Sequence, residues 1–314
     1  MFRLSSPIVF CTFNRYEHTM KVFSRIREAK PERLYFVSDG PRESVAGEAD
    51  EVQRIRADIE AAIDWTCDLV MVFSDVNLGC AKRISSALDY VFEREDDAII
   101  LEDDCYPALA FFEYCQTLLD KYRDDERIMS IGGSTVIDHK PDADSDYFFS
   151  SVFCCCGWAT WKRSWELFDL DMTEFPKVSK LKDNTIKDTL RNRRAFWAYM
   201  SRWRLLYNSI KKYSWAYIFF YQSVIYEKYN IIPAVNLIEN IGFGGEATNT
   251  GSPIDYYVTD TKELSFPLRA PLKVEKNTGY DDEYFKITQK AGLIMRIKEI
   301  LGFDINRSFF DISK

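Results

Sequence analysis

The sequence predicts an α/β fold: a mostly parallel central sheet flanked by helices, in a single domain with a C-terminal helical tail. Three observations predict it. Short apolar runs alternate with amphipathic stretches through the first half of the chain. Each of those runs ends in a polar or Gly-containing cluster. Finally, the 314 residues contain no internal repeat and no low-complexity linker, so they can share one core.

The elements follow in order. Ile8–Phe13, Leu34–Ser38, Leu69–Phe73 and Ala98–Leu101 are continuous runs rich in Val, Ile, Leu and Phe. Such runs suit strands buried on both faces. Between them, Glu17–Ala29, Gly47–Asp64 and Cys80–Arg94 carry apolar residues at helical spacing. Strand then helix, repeated, means βαβ units and parallel pairing. A fourth helix is expected near Ala108–Tyr122, and Ile128–Ile131 reads as another short strand. The second half is less regular. Asp138–Asp146 is a polar loop, Lys177–Lys212 has helical character, and Tyr217–Tyr229 reads as a further helix. Glu239–Gly251 is a loop rich in Gly and Asn, and Tyr284–Leu301 is an amphipathic, mildly basic tail.

Composition narrows the function. Net charge is −8, which disfavours general nucleic-acid binding. Yet Lys177–Lys212 holds 11 Lys or Arg against two acids, so an anionic partner for that segment is expected. The eight Cys show no paired zinc spacing, and most lie in apolar runs, as buried thiols of a reducing compartment would. No apolar run is long enough to span a membrane, and the N-terminal one is too short for a signal peptide. A cytoplasmic protein is expected.

In open parallel sheets, ligands sit beyond the carboxyl ends of the strands. The polar residues there are Thr12, Asn14 and Arg15, then Ser38-Asp39-Gly40, Asn77-Leu78-Gly79, and Glu102-Asp103-Asp104. Three adjacent carboxylates repel one another unless a cation compensates them. A divalent metal, Mn²⁺ or Mg²⁺, is the expected cation, because it accepts a sparse set of oxygen ligands. The bland reading is a solvated turn in which Asp104 caps the next helix. Asp39 is either half of an Asp-Gly turn or an acceptor for a base edge. Asn77 and Gly79 form a strand-to-helix turn, and Lys82 and Arg83 open a helix that offers its dipole and their charges to a phosphate. Neither a P-loop nor a GxGxxG fingerprint is present.

On these residues the chain resembles GT-A fold glycosyltransferases, in particular bacterial family-2-like nucleotide-diphospho-sugar transferases of the hemolytic-protein type. It is more distantly similar to N-acetylglucosaminyltransferase I. The resemblance runs from about Ser6 to Thr250 and rests on ordered motifs: the acidic strand end, the CYPALAFFEYC stretch after it, Gly157-Trp158-Ala159-Thr160-Trp161, and Asn236-Leu237 with Asn240-Ile241-Gly242-Phe243-Gly244. It implies a domain over 1–260, with a nucleotide-binding half (1–135), an acceptor-binding half (136–260), and an extension over 261–314. Asp104 would ligate the metal, with Glu102 and Asp103 facing the ribose and metal-bound water. Thr12, Asn14, Arg15 and Asp39 would hold the nucleoside; Asn77, Gly79 and Lys82 would lie near the diphosphate. Gly157, Trp158, Trp215, Asn240, Gly242 and Phe243 would shape the donor and acceptor pocket, although Trp161 reads equally as core.

The implied reaction is inverting transfer of a hexose or N-acetylhexosamine from a UDP-sugar to a glycan or lipid-linked acceptor in bacterial surface polysaccharide synthesis. One departure stands out. The family carries an Asp base after the Trp of a W-D motif, whereas this chain reads Ser214-Trp215-Ala216-Tyr217. Ala216 cannot take a proton. It marks an inactivating substitution, a different base, or a binding protein without turnover. A sugar nucleotidyltransferase is a second alternative, although CTFNRYEH lacks the Gly-rich loop such enzymes place after the first strand. The C-terminal tail is the expected point of any peripheral membrane contact.

Overall fold

A computed structural model describes residues 3–135, 137, 145–180, 184–242 and 260–288. The first half follows the expected alternation. Strands β1 (Ile8–Thr12), β2 (Arg33–Ser38), β3 (Asp68–Phe73) and β4 (Asp97–Glu102) are joined by α1 (Tyr16–Ala29), α2 (Glu48–Ala61) and α3 (Cys80–Phe92). A three-residue strand β5 (Cys105–Pro107) leads into α4 (Ala110–Lys121) and β6 (Ile128–Gly132). Next come β7 (Tyr147–Ser150), β8 (Trp158–Trp161), α5 (Lys162–Trp165), α6 (Phe175–Val178), α7 (Thr185–Leu190), α8 (Arg193–Asn208), α9 (Trp215–Ile225), β9 (Tyr229–Pro233) and β10 (Ile238–Asn240). A helix over 278–288 completes the described chain.

The eight-stranded sheet has the order β3-β2-β1-β4-β8-β6-β9-β7. The first four strands pair in parallel, and β8 enters antiparallel between β4 and β6. Strand β6, from the first half, therefore lies between β8 and β9 of the second. The two halves share one sheet.

Alternation along the strands builds two cores. Ile8, Phe10, Phe36, Ile99 and Leu101 face one side and pack with α1, α2 and α4. Val9, Tyr35, Val37 and Ile100 face the other and pack with α3, α8 and α9. The result is helices on both faces of a sheet in which β1, β2 and β4 are buried on both sides, as their continuous apolar runs require. The edge strand β3 stays partly exposed, with Met71 47% exposed. The stretch 260–288 belongs to this body rather than standing apart. Tyr280 and Phe285 are fully buried, and Tyr280 packs edge-on to Phe148 at 4.7 Å.

One expected boundary moves. The helix expected through Tyr229 ends at Ile225, and Tyr229 begins β9. Glu227 sits at φ +52°, a left-handed conformation that breaks the helix before the strand.

Candidate functional site

Parallel register brings four strand ends to one edge: Thr12 pairs with Ser38, Ser38 with Phe73, and Cys11 with Glu102. Everything predicted for the first half of the site lies just beyond this line.

The acidic corner is closed by a protein cation. Arg15, one residue before α1, reaches across β1. Its Nη2 donates to Asp103 Oδ1 and, at 3.1 Å, to Asp104 Oδ2. Burial works against the Arg15 charge, but Asp103 and Asp104 outweigh it and hold the guanidinium protonated. Asp103 is 4% exposed; burial raises its pKa and Arg15 opposes that. It is turned inward, toward Arg15. Glu102 lies half-buried at the strand end. Burial first, then Asp104 and Asp103, push its pKa up to about 8. At neutral pH Glu102 therefore keeps its proton.

A distant loop lands on the same corner. Strand β10 pairs antiparallel with β5, and the chain then runs over Asp104, whose carbonyl accepts from Ile241 N at 2.9 Å. The Asn240 side chain accepts from Gly242 N at 2.9 Å and shapes the turn. A Cβ on Gly242 would lie 2.5 Å from Asp104 Oδ2 and 2.9 Å from Arg15 Nη1, so only Gly fits there. His18 Nε2, one helical turn from Arg15, meets the Ile241 carbonyl at 3.0 Å. His18 went unread in the sequence; its i, i+3 spacing from Arg15 is the signal that would have found it. Phe243 lies outside the described residues.

Opposite the corner is a second turn. Asp39 accepts from Gly40 N, Leu78 N and Gly79 N at 2.9–3.0 Å and from Asn77 Nδ2 at 3.2 Å. Four donors fill a carboxylate's acceptor capacity. Asp39 therefore ties the second strand end to the third, as its reading as half of an Asp-Gly turn expects. Thr12 donates into the sheet, to the Val37 carbonyl at 3.2 Å, and Asn14 donates to the buried Glu48 at 2.8 Å. Arg83 also turns inward, to the Val72 carbonyl at 3.1 Å.

Gly79, at φ +75°, opens α3 without a side-chain cap, so the first-turn N–H groups there carry the positive end of the helix dipole. Lys82 is exposed on that turn. Lys211 arrives from the other half of the chain; its Cε and Nζ lie 3.6 and 3.8 Å from where a Gly79 Cβ would be. In sequence Lys211 is one charge among many in a basic stretch, so nothing marked it. The start of α3 is close to the corner, because Glu102 and Asp104 both act on the Cys80 thiol.

The aromatic motifs form the floor rather than the walls. Trp158 is 0% and Trp215 is 2% exposed; they stack at 5.1 Å with an interplanar angle of 22°, enclosed by Phe153 and Phe219. Both indoles are therefore part of the core beneath the strand ends. Trp161 is also core, donating to the Leu119 carbonyl at 3.1 Å. Gly157, at φ +61°, lets β8 begin against Ile238, whose Cδ1 would lie 2.5 Å from an added Cβ. Ala216 is the second residue of α9, behind the Ser214 cap, half-buried beside Trp215. Trp158 pairs with Ile100, two residues before Glu102, so the stack holds the start of α9 against the core face of β4 and β8.

The donor set can be tested against a metal. No group of three or more His, Cys, Asp and Glu side chains converges for a metal among the described residues, so a closed protein cage does not fit. A hard cation held by one or two carboxylates and by substrate phosphates does fit. Asp104, whose side chain is 23% exposed, is the open carboxylate of the corner.

No protein-family profile matches the chain, and no curated protein does. Solved structures give partial likenesses. A galactosyltransferase, LgtC, in complex with donor and acceptor sugar analogs matches at 14% identity and TM-score 0.33, over 56% of this chain and 65% of that one. TarS residues 1–349 from S. aureus match at 7% identity and TM-score 0.33, over 50% and 47%. The inositol-1-phosphate CTP transferase from T. maritima matches at 13% identity and TM-score 0.30, over 53% and 75%. The chain thus spans less than two thirds of the first two.

Proposed function

We propose that this protein binds a UDP-sugar at the edge formed by the ends of β1 to β4, as a metal-dependent inverting glycosyltransferase. The sugar, a hexose or N-acetylhexosamine, passes to a hydroxyl of a glycan or lipid-linked acceptor. One observation carries the reading: the Gly242 turn closes on Asp104, while the uncapped start of α3, flanked by Lys82 and Lys211, lies opposite. A carboxylate and a set of positive groups at one sheet edge are what a cation–diphosphate pair requires.

Asp104 would hold Mn²⁺ or Mg²⁺, which when bound supplies charge for the departing diphosphate. Lys82, Lys211 and the first-turn N–H groups of α3 meet the same phosphates from the other side. Arg15 fixes the Asp104 carboxylate, and the Gly242 turn packs against one side of it. A single displacement needs a base on the acceptor hydroxyl. With Ala at position 216, where the family it resembles carries its base, the chain binds its donor and turns over slowly or not at all.

Calorimetry tests the reading. UDP binding should strengthen with Mn²⁺, and Asp104→Ala should remove that metal effect; equal affinity in both proteins would overturn the metal assignment. Ala216→Asp should raise transfer by about 10²–10⁴-fold, the usual worth of a positioned base. UDP binding without any gain at position 216 would favour the reading as a binding protein without turnover.

A further inference from the structure

Helix α8 presents an unusual outer face. Arg191–Lys212 holds seven Arg or Lys and no acid, in a chain of net charge −8. Ala195, Tyr199, Met200, Trp203 and Leu206 face the core. Outward, Arg193, Arg194 and Arg204 alternate with large apolar groups. Trp197 is 41%, Leu205 40% and Tyr207 37% exposed, and Ile210 just after the helix is 105% exposed. A surface helix normally turns only polar residues outward. Among the described residues, neither Arg193, Arg194 and Arg204 nor Lys211 has an ion-pair partner. At the N-terminal end of α8 a cavity of about 810 Å³ is lined by Lys187, Asp188, Arg191, Arg193, Phe196 and Trp197.

We propose that this face docks on an anionic lipid bilayer, with α8 lying in the plane of the interface. Charge complementarity selects the partner: an outer face whose cations far outnumber the acids beside it, Asp188 and Asp282 at its N-terminal end, suits anionic headgroups. The exposed indole, phenol and aliphatic groups select a bilayer over a soluble polyanion, which would leave Ile210 in water. Basic residues mixed with Trp, Tyr and Leu on one exposed face are the signature of interfacial helices. Sixteen residues of helix span about 24 Å, enough to lie across several headgroups. The cavity beside Arg191 and Arg193 is placed to take a lipid phosphate. The surface is separate from the C-terminal tail and does not depend on sugar transfer. It bears on transfer through Lys211, which lies at one end of the face and also against Gly79 at the start of α3.

The full-length chain should co-sediment with vesicles containing phosphatidylglycerol and not with pure phosphatidylcholine. Arg193→Glu with Arg194→Glu should weaken binding by about tenfold or more. Ile210→Asp, at a fully exposed site, should weaken it about fivefold. Hydrogen exchange over 193–212 in the unmodified protein should slow when anionic vesicles are added, a readout that needs no variant to fold. Wild-type-like binding by both variants, absence of vesicle binding, or unchanged exchange over 193–212 would each overturn the proposal. So would full displacement from vesicles by an acidic polysaccharide of matched charge, which would assign the face to a glycan.

Discussion

The ends of β1 to β4 and the segment that covers them, from β8 to β10, are built by different rules. The strand ends come from local βαβ units: each strand is followed by its own helix, and register alone aligns the four polar clusters. The covering segment is assembled from distant pairings. Strand β8 inserts antiparallel beside β4, β10 pairs with β5, and Trp215 of α9 stacks on Trp158 of β8. The first region supplies charge and the second supplies closure. The two regions meet at Asp104, Arg15 and Gly242.

The meeting point can be broken most strongly at Arg15. Its removal would leave Asp103, 4% exposed, without its counter-ion. Breaking a buried pair from one side typically costs about 3–5 kcal/mol. Arg15→Met should therefore lower the urea midpoint sharply, and adding Asp103→Asn should recover much of the loss. If Arg15→Met unfolds like the parent, the corner is not held by this pair.

Gly242→Ala attacks the same junction from the covering side. Its Cβ would meet the Asp104 carboxylate at 2.5 Å, and neither backbone can retreat without breaking the Ile241–Asp104 hydrogen bond. Overpacking of this kind costs about 1–3 kcal/mol. Thermal unfolding should register it, and UDP affinity should fall more than stability does. A fall in stability alone would make the turn a structural feature and not part of the site.

How much of this was legible in the sequence follows the same division. The first-half elements were readable because their signals are local: continuous apolar runs, helical periodicity, and turn residues at Asp39-Gly40 and Asn77-Leu78-Gly79. Roles were harder to read than positions. Asp39 looks available in sequence, and only the fold shows that Leu78 and Gly79 consume it. Arg15 was placed among nucleoside ligands, while its partners stand 88 and 89 positions away. In the covering segment, Trp158 and Trp215 read as pocket residues because a Trp motif carries no mark of burial. Strands as short as β5 and β10 are invisible until they pair.

Glu102 tests the corner through pH. Folded, it holds its proton up to about pH 8, against an ordinary value of 4.5. Between those values the unfolded chain has released the proton and the folded chain has not, so rising pH withdraws stability. The slope is at most about 1.4 kcal/mol per pH unit. Melting temperature should fall from pH 6 to 9, and Glu102→Gln should flatten that part of the profile. A parent profile that rises over this range would mean Glu102 is ionised and already paired.

The smallest effect belongs to Ala216, and it sharpens the comparison from the covering side. A carboxylate at the second residue of α9 meets the positive end of the helix dipole, worth about 0.3–1 kcal/mol at low salt. Repulsion from the acidic corner, were it close enough, would work against that gain, but Arg15 already pairs with Asp103 and Asp104. The dipole should therefore win. Ala216→Asp should melt about 0.5–2 °C higher than the parent in low salt, and the gain should shrink as salt is added. A loss of stability that salt relieves would mean the acidic corner reaches further across the cleft than its pairing with Arg15 allows.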